Sequence, residues 1–486
     1  MILEVSEWKP DLLDNHGDRK AENVIPDADG YRPWPELLTL TSALTARAQG
    51  AFAAKDKSNL NYNYAGDQTA LYRLVDAVWT NATQVVGTVT ASYSTNTLDW
   101  WEFAQWGETV ITTNGKDTPQ EITLGAANFI DLAGSPPVAK HIAIVKDFVW
   151  LGNLVDFPQR VRWSAINDSH SWTVNASTQA DFQDLVGNGG HVQKIVGGES
   201  AIIFQERATW RGAWVGPPAI FDFGNGPIEK DIGTLAPQSV AAYGNLIFYL
   251  SEQGFRLFDG QSSTAIGALK IDRFFFSDLD SQYVNRIQTV VDPANKVFIC
   301  AYPGSGNTNG TPNKLLFYNY QVGRWATANE EVELLYRHIA TGYSLDGLDS
   351  ISTSIDTLSD SFDSSQWAGG AINMAAFNTS HKTALFTGDA KDATVDTVEV
   401  EPKEGRRSKI LRVRPLVEGA TANMTCLTRN KLSDDPAEGV SVAQSDTGDC
   451  PIRSNARYHR YRIETSGTFT KIRGAQIIEY ADGGTR

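Results

Sequence analysis

The sequence contains a recurring unit of two apolar strands joined by a tight turn, which restricts the chain to a few all-β folds. Its six instances have their turns at Gly66-Asp67, Gly107, Lys146-Asp147, Gly197-Gly198, Gly244-Asn245 and Pro293-Ala294. Glycine and asparagine supply the positive φ angle that two-residue hairpins require, and Asp-Pro presets a type I turn. Successive turns are roughly 40 to 50 residues apart, which is the period of four-stranded propeller blades.

Further strand-like segments lie between these hairpins and would complete the blades. They are Arg207–Gly216, Gly254–Gly260 and Leu315–Ala328. The sequence therefore predicts an all-β chain with a β-propeller body of about six blades. A sandwich or barrel with irregular hairpins is the alternative, and the even spacing of the turns favours the propeller over it.

Shifts in composition predict four parts along the chain. They are an extended N-terminal arm (1–55), the β-propeller (56–343), a connecting segment (344–370) and a C-terminal β domain that serves as a platform or docking unit (371–486). Within the connecting segment, Leu345–Phe362 has apolar residues at helical spacing. Its serine and threonine content argues against a stable isolated helix, so we expect it to order only against another surface. A helix is also expected within Ile271–Ile287.

Charge and cysteine content argue against several classes of protein. The 486 residues carry a formal net charge of −15, which disfavours a DNA-binding protein that relies on a basic face. The cysteines Cys300, Cys426 and Cys450 form no Cys-x-x-Cys motif. We expect reduced thiols, although pairing of Cys426 with Cys450 stays open. The first residues lack the pattern of a secretory signal, and the apolar stretches are too short to cross a membrane.

No local motif predicts catalysis. The seven histidines are scattered without metal-ligand spacing. The glycine-rich stretch Pro303–Pro312 lacks the Gly-Lys-Ser/Thr ending of a phosphate-binding loop. Asn167–Thr173 is the nearest approach to the Asp-box of sialidase propellers, but it departs from that pattern and occurs once. We therefore expect no enzyme, no cofactor and no metal site, with a sialidase-like glycosidase as the enzymatic alternative.

Two sets of residues are candidates for contacts with other molecules. The glycine- and asparagine-rich loops Gly187–Gly190 and Gly304–Asn313 are candidate gate or docking loops. Arginines of the C-terminal domain interleave with tyrosines, a composition typical of interfaces between subunits. The predicted inter-subunit contacts join Arg453, Arg457, Arg460 and Arg462 to the acidic residues Asp356 and Asp360.

Segments spread over most of the chain resemble one known family. They are Asn23–Pro33, Gly66–Arg73, Val161–Ala165, Ala180–Phe182, Phe204–Arg207, Trp210–Gly212, Val215–Pro218, Gly233–Ser239, Leu250–Gly260, Asp292–Pro293, Tyr318–Tyr320, Arg324–Trp325, Leu345–Asp349 and Ala456–Arg460. In these segments the chain is similar to the tail nozzle proteins of short-tailed bacteriophages. That family includes the packaged-DNA-stabilisation (tail accessory) proteins of Salmonella-phage type.

The resemblance implies a structural protein of the virion tail that is assembled in the host cytoplasm. Six copies would form a tube below the portal and its adaptor protein, continue the channel for double-stranded DNA, and retain the packaged genome. The partners implied are the portal adaptor and a tail fibre or spike, with no sequence-specific DNA binding and no membrane insertion. An acidic channel wall would repel phosphates and let DNA slide. The alternatives are a receptor-binding or glycan-degrading tail propeller, another phage neck or hub protein, and a host interaction hub, although WD and kelch repeats are absent.

Overall fold

Antiparallel β-strands make up most of the structure, a computed structural model that describes residues 1–5, 7–11, 19–340, 354, 370 and 372–484. The strands before the first complete sheet are β1 (Ile2–Glu4), β2 (Ala21–Glu22), β3 (Val24–Asp27), β4 (Gly30–Pro33) and β5 (Pro35–Ala43). The next three sheets contain β6 (Gly50–Lys55), β7 (Asn61–Gly66), β8 (Leu71–Val75), β9 (Val78–Asn81); β12 (Glu102–Trp106), β13 (Thr109–Thr113), β14 (Gln120–Thr123), β15 (Ile130–Asp131); and β16 (Ala139–Val145), β17 (Phe148–Leu154), β18 (Arg160–Trp163), β19 (Asp181–Asp184). A separate hairpin, β10 (Val85–Val86) and β11 (Val89–Thr90), lies between the first two sheets.

Four further sheets follow along the chain. Their strands are β20 (Val192–Val196), β21 (Ser200–Gln205), β22 (Ala208–Gly216), β23 (Ile220–Asp222), β24 (Glu229–Lys230); β25 (Ala241–Tyr243), β26 (Leu246–Ser251), β27 (Gly254–Phe258), β28 (Ser263–Ala265); β29 (Gln288–Asp292), β30 (Val297–Tyr302), β31 (Lys314–Asn319), β32 (Arg324–Asn329); and β33 (Leu334–Ile339), β34 (Ile372–Phe377), β35 (Lys382–Ala390). The helix α1 (Asp272–Asp278) and a 3-10 helix (Ser281–Arg286) occupy the region where one helix was expected, and a second 3-10 helix spans Pro237–Ser239.

The remaining strands form a second unit near the C-terminus. They are β36 (Ala393–Asp396), β37 (Ser408–Glu418), β38 (Ala422–Arg429), β39 (Ala437–Glu438), β40 (Val442–Ala443), β41 (Ser454–Ala456), β42 (Tyr458–Thr465) and β43 (Lys471–Asp482).

Seven of the sheets within the described ranges form a closed ring. Their first strands are β6, β12, β16, β20, β25, β29 and β33. Consecutive first strands contact each other from β6 to β20 and from β25 to β33, and β33 contacts β6 to close the circle. The 3-10 helix Pro237–Ser239 bridges the interval after β20, since it contacts β20, β26 and β29. The fourth strand of the seventh sheet is β5, which pairs with β35. A ring of four-stranded antiparallel sheets around one axis is a β-propeller, so the predicted fold class is confirmed.

Burial on both faces explains why the strands read as continuous apolar runs. All seven residues of β17 are buried. Phe148 and Trp150 point into the cluster shared with the fourth sheet, whereas Val149 and Leu151 belong to the cluster shared with the second sheet. Because successive side chains point to opposite faces of a sheet, a blade between two neighbours needs apolar residues at every position.

Among the described residues the ring has seven sheets, where about six blades were predicted, and two predicted boundaries differ from the structure. The recurring unit at Gly66 joins β7 to β8, whereas the other five units join a first strand to a second strand. The predicted arm (1–55) therefore includes β6, the first strand of the first blade. The seventh sheet combines strands on both sides of residues 341–369 with β5, so no continuous hairpin pattern marks it. Apart from Ser354 and Gly370, the predicted connecting segment 344–370 lies outside the described residues.

The second unit is built from both ends of the chain. In one sheet β1, β3 and β4 are joined to β37, β41 and β43, and in the other β36, β38, β39, β40 and β42 continue the sixth blade through β2. A single apolar cluster runs from the fifth and sixth blades into this unit and includes Trp8, Trp34, Phe317 and Ile472. The described N-terminal strands therefore belong to this unit and to the seventh blade, and β34 and β35 of the predicted C-terminal domain also belong to the seventh blade.

The remaining expectations concern the cysteines and the crossing of a membrane. The three cysteines are free and buried, and burial raises the pKa of Cys426 and of Cys450 to about 11. Among the described residues, no helix has the length and apolar character that a membrane crossing demands.

Candidate binding site on the propeller axis

A cavity of about 320 Å³ lies where the first strands of several blades converge. The loops that precede the first strands and those that join second to third strands lie on one face of the ring, because the strands of each blade run alternately up and down. The cavity opens on this face. Its lining includes Trp100, Glu102, His141, Gln193, Gln238 and Asn285, which belong to or precede the second to sixth blades.

Glu102 is the centre of a polar network that ties four blades together. Its Oε1 accepts hydrogen bonds from Lys194 Nζ at 2.6 Å, from Gln238 Nε2 at 2.9 Å and from His141 Nδ1 at 3.0 Å. Glu102, His141 and Lys194 stand on β12, β16 and β20, and Gln238 stands on the 3-10 helix before the fifth blade. Glu102 and His141 are buried. The network therefore fixes the positions of the side chains at the bottom of the cavity.

The charge of Glu102 is maintained by its partners. Burial by itself raises the pKa of this carboxyl, but the charges of Lys194 and His141 and the hydrogen bonds that they donate outweigh it and lower the pKa to about 2. A carboxylate only accepts hydrogen bonds, so Nδ1 of His141 carries a proton. The other ring nitrogen, Nε2, is buried and has no hydrogen-bond partner among the residues that the structure describes.

Glu102→Gln is expected to destabilise the protein by about 3 kcal/mol at neutral pH, because the carboxyl pKa falls from 4.5 in the unfolded chain to about 2 in the fold. A carboxyl with a depressed pKa stabilises the fold above its unfolded pKa, and that contribution is lost as the pH falls from about 5 to about 2. The variant should therefore lack this part of the acid destabilisation in urea unfolding measured across that range. Glu252→Gln, at an exposed ion pair with Arg207, is the control, and its stability should depend on pH as that of the parent protein does. If the Glu102 variant and the parent lose the same stability between about pH 5 and about pH 2, the pKa of Glu102 is not lowered in the fold.

Side chains from opposite sides of the ring meet across the axis on the same face. The indole nitrogen of Trp100 donates to the backbone oxygen of Asn285 at 2.8 Å. The guanidinium of Arg47 lies 5.3 Å from the Trp100 ring and donates to the backbone oxygen of Glu333 at 3.2 Å. Trp100 and Asn285 precede the second and sixth blades, and Arg47 and Glu333 precede the first and seventh. Contacts among these four loops therefore obstruct the propeller axis on this face.

Both predicted gate or docking loops lie on the face that carries the cavity, but the structure does not bring them together. Gly187–Gly190 joins the third blade to the fourth, and Gly304–Asn313 joins β30 to β31 in the sixth blade. The second loop folds back on itself, since Asn313 Oδ1 accepts from the backbone nitrogen of Gly304 at 2.8 Å. It also packs against the end of α1, where Asp278 accepts from the backbone nitrogen of Ser305 at 3.3 Å. A role in gating or docking stays a prediction for both loops.

The predicted inter-subunit arginines are largely engaged within the chain. Arg462 pairs with Asp396 at 3.0 Å and with Glu438 at 3.1 Å, and Arg460 lies 3.8 Å from Asp396. Arg460 and Arg462 are both buried, so their prediction as surface contacts is wrong. Strand β42 points them inward, toward the carboxylate of Asp396 on the neighbouring strand β36.

The other predicted contact residues have different surroundings. Arg457 is partly exposed and pairs with Glu401 at 2.6 Å, and Arg453 is exposed. Asp356 and Asp360 lie outside the described residues. Contacts of Arg453 and Arg457 with another subunit therefore stay a prediction.

The segment that most resembles a sialidase Asp-box is a turn between β18 and β19. Asp168 Oδ1 accepts from the backbone nitrogen of His170 at 2.9 Å, and the indole nitrogen of the buried Trp172 donates to the oxygen of Ser169 at 2.8 Å. These contacts stabilise the turn. The residues Asn167–Thr173 therefore have a structural role in the third blade.

Sequence reasoning missed the Glu102 network. Its members are spread over many residues, and Glu102 and Gln238 alone are 136 positions apart. The sequence signal that could have revealed the network is that each member lies near the beginning of a blade. Aligning the blades by their turns at a period of roughly 40 to 50 residues would place them together.

Comparisons with known proteins do not place the chain in a family. No protein-family model matches it, and no curated protein matches it. Among solved structures, the extracellular domain of a one-component system from B. thetaiotaomicron is similar with a TM-score of 0.40 and 8% identity. The match covers 85% of this chain and 46% of that one, so the chain spans less than half of that structure's length. The WD40 domain of Neurospora crassa Pan2 is similar with a TM-score of 0.38 and 7% identity, over 74% of this chain and 96% of that one.

Proposed function

We propose that the chain is a structural subunit of a phage tail nozzle. In this proposal six copies form a tube below the portal and its adaptor, continue the DNA channel, retain the packaged genome and dock tail fibres or spikes. The sequence resemblance supports the proposal, as does the location of the segments that carry it. Several of them lie at the junction between the propeller and the second unit.

The observation that carries the proposal is the firm connection between the two units. Asn319 Nδ2 donates to the backbone oxygen of Pro26 at 2.8 Å, and Arg324 donates to the backbone oxygen of Asp27 at 3.2 Å. Trp34 lies between Phe317 of the sixth blade and Phe386 of the seventh, with ring centroids 4.6 Å apart in both pairs. A closed ring with head-to-tail contacts needs two different complementary surfaces on each subunit. Two units joined at a fixed angle supply such surfaces.

The proposed DNA path runs between the subunits rather than through each propeller. Trp100, Arg47 and Asn285 obstruct the axis of the propeller, so a channel for a duplex requires a ring of copies. The net charge of −15 fits a wall along which DNA slides, because an acidic surface repels phosphates.

Assembly on heads that carry portal and adaptor but lack a tail tests this proposal. We expect the 53.2-kDa chain to bind such heads and to be released from them by mild detergent as a species of six copies, measured by native mass spectrometry. The matched control uses heads that lack the adaptor, to which the chain should not bind. A chain that stays monomeric with both kinds of head contradicts the proposal, and hydrolysis in a glycan screen would favour the glycan-degrading alternative.

A further inference from the structure

The chain contains four Asn-Gly pairs, the pairing at which an asparagine loses its side-chain amide most readily. They are Asn114-Gly115, Asn188-Gly189, Asn225-Gly226 and Asn309-Gly310. The reaction begins when the backbone nitrogen of the second residue attacks the side-chain carbonyl carbon of the first, and glycine has no side chain to hinder that approach. Both groups must move to meet, so the fold decides which of the four pairs reacts.

Hydrogen bonds oppose the reaction at two of the pairs. Asn114 is buried, and its Nδ2 donates to Asp117 at 2.8 Å. Its Oδ1 accepts from the backbone nitrogens of Lys116 and Asp117. At the last pair the attacking nitrogen is itself engaged, since the backbone nitrogen of Gly310 donates to Asn307 Oδ1 at 2.8 Å. Neither pair can close a ring without breaking these bonds.

The second pair has an exposed asparagine but a fixed backbone. Asn188 is exposed, whereas Gly189 is buried. The oxygen of Gly189 accepts from the backbone nitrogen of Arg207 at 2.9 Å, and the oxygen of Gly190 accepts from Gln205 Nε2 at 2.8 Å. These bonds restrict the backbone rotation that the attack requires.

The third pair, in the fourth blade, has freedom in both its side chain and its backbone. Asn225 is exposed, and it lies in the loop between β23 and β24. Within the part of the chain that the structure describes, no hydrogen bond engages its side chain or the backbone of Asn225 and Gly226. The attacking nitrogen and the amide are therefore both available.

Two cations face this loop. Strand β22 pairs with β23 at Ala213 and with β24 at Thr209, so the loop crosses over Arg211, which lies between these positions. Arg211 and Lys230 line a depression of about 480 Å³ together with Asn225. Neither cation has an ion pair among the described residues. Their charges are therefore directed to the loop and to solvent.

We propose that Asn225 is a site of spontaneous deamidation that Arg211 and Lys230 promote. The backbone nitrogen of Gly226 loses its proton to a solvent base and bonds to Cγ of Asn225. The bond from Cγ to Nδ2 breaks, and ammonia leaves with a proton from solvent. Water then opens the succinimide ring, which leaves aspartate or isoaspartate at position 225. The inference does not depend on the proposed nozzle function.

The charges around the depression favour both the attack and its product. Negative charge develops on the side-chain oxygen during the attack, and fixed positive charges stabilise such an oxyanion. Asp222 also lines the depression, so two cations stand against one carboxylate. The new carboxylate restores the balance of charge there.

Peptide mapping of the full chain by mass spectrometry, during incubation at neutral pH, measures the reaction at all four pairs. A parallel incubation in guanidinium chloride gives the rate of each pair without the fold. We expect the folded chain to deamidate at Asn225 about tenfold faster than at the other three pairs. In guanidinium chloride the four rates should be similar.

Arg211→Gln and Lys230→Gln test the role of the cations. Each should slow the reaction of Asn225 in the folded chain about twofold to fivefold, as expected for exposed charges, and leave the rate in guanidinium chloride unchanged. Arg207→Gln is the matched control, because Arg207 is exposed on the same blade but does not line the depression. A folded chain in which Asn225 reacts no faster than the other pairs overturns the inference. So do equal rates in the parent and both cation variants.

Discussion

A chain that starts at residue 44 is expected not to fold into a cooperative structure. Removing residues 1–43 deletes β5, the outer strand of the seventh blade, and with it the strand pairing that joins the N-terminal segment to β35. It also deletes Trp8 and Trp34, which are 5% and 1% exposed in the largest apolar cluster. Truncating one buried tryptophan to alanine already costs about 3 to 5 kcal/mol, and whole domains are stable by only about 5 to 15 kcal/mol. Circular dichroism and thermal unfolding of the shortened chain measure the effect.

The exposed hairpin of β10 and β11 provides a matched control for this deletion. Its residues Val85, Val86 and Val89 are 46% to 68% exposed, and its two strands pair with each other. Replacing Val85–Thr90 with two glycines should change the free energy of unfolding by less than about 1 kcal/mol. If the chain from residue 44 onward unfolds cooperatively at the parent's midpoint, the N-terminal segment is an arm after all.

Asp396→Ala is expected to destabilise the protein by about 3 to 5 kcal/mol, the range for leaving a buried ion pair without one partner. The side chain of Asp396 is inaccessible to solvent, and it lies 3.0 Å from Arg462 and 3.8 Å from Arg460. Both guanidinium groups are also buried, with side-chain exposures of 10% and 3%. The substitution therefore removes the carboxylate that two desolvated cations share. Urea unfolding at neutral pH gives the free-energy change.

An exposed ion pair in the same unit is the control. It shows how much stability is lost when a carboxylate is removed at the surface rather than in the interior. Arg412 and Glu479 lie 3.7 Å apart on β37 and β43, and each side chain is more than half exposed. Glu479→Ala should cost no more than about 1 kcal/mol, as is usual for surface pairs. If both substitutions lower the free energy of unfolding equally, Asp396 does not stabilise the fold through its buried ion pairs with the arginines of β42.

Local rules account for the parts of the fold that sequence reasoning predicted correctly. Gly107, Lys146 and Gly244 have positive φ angles of 57°, 52° and 58°, and each lies in a turn between the first and second strands of a blade. Turn chemistry depends on two or three adjacent residues, so it can be read directly from the sequence. The even spacing of such turns was sufficient for the fold class.

The missed features depend on residues that are distant in sequence. The pairing of β5 with β35 brings Leu38 opposite Leu385, and no local pattern records a contact of that separation. The sequence predicts inter-subunit contacts for the arginines of β42, because charge alone does not show which way a side chain points. Their inward orientation is set by the pairing of β42 with β36, in which Asp396 lies opposite Arg462. The Glu102 network escaped detection for the same reason, since its members meet only at the centre of the closed ring.

Counting copies of the chain in purified phage particles tests whether it is a six-fold nozzle subunit. Quantitative mass spectrometry with isotope-labelled peptides would compare the chain with the portal protein of the same particles. A six-fold nozzle below a twelve-fold portal predicts about half as many copies of the chain as of portal. Absence of the chain from the particles would contradict the proposed function, and a copy number that follows the fibres rather than the portal would assign the chain to a receptor-facing role instead.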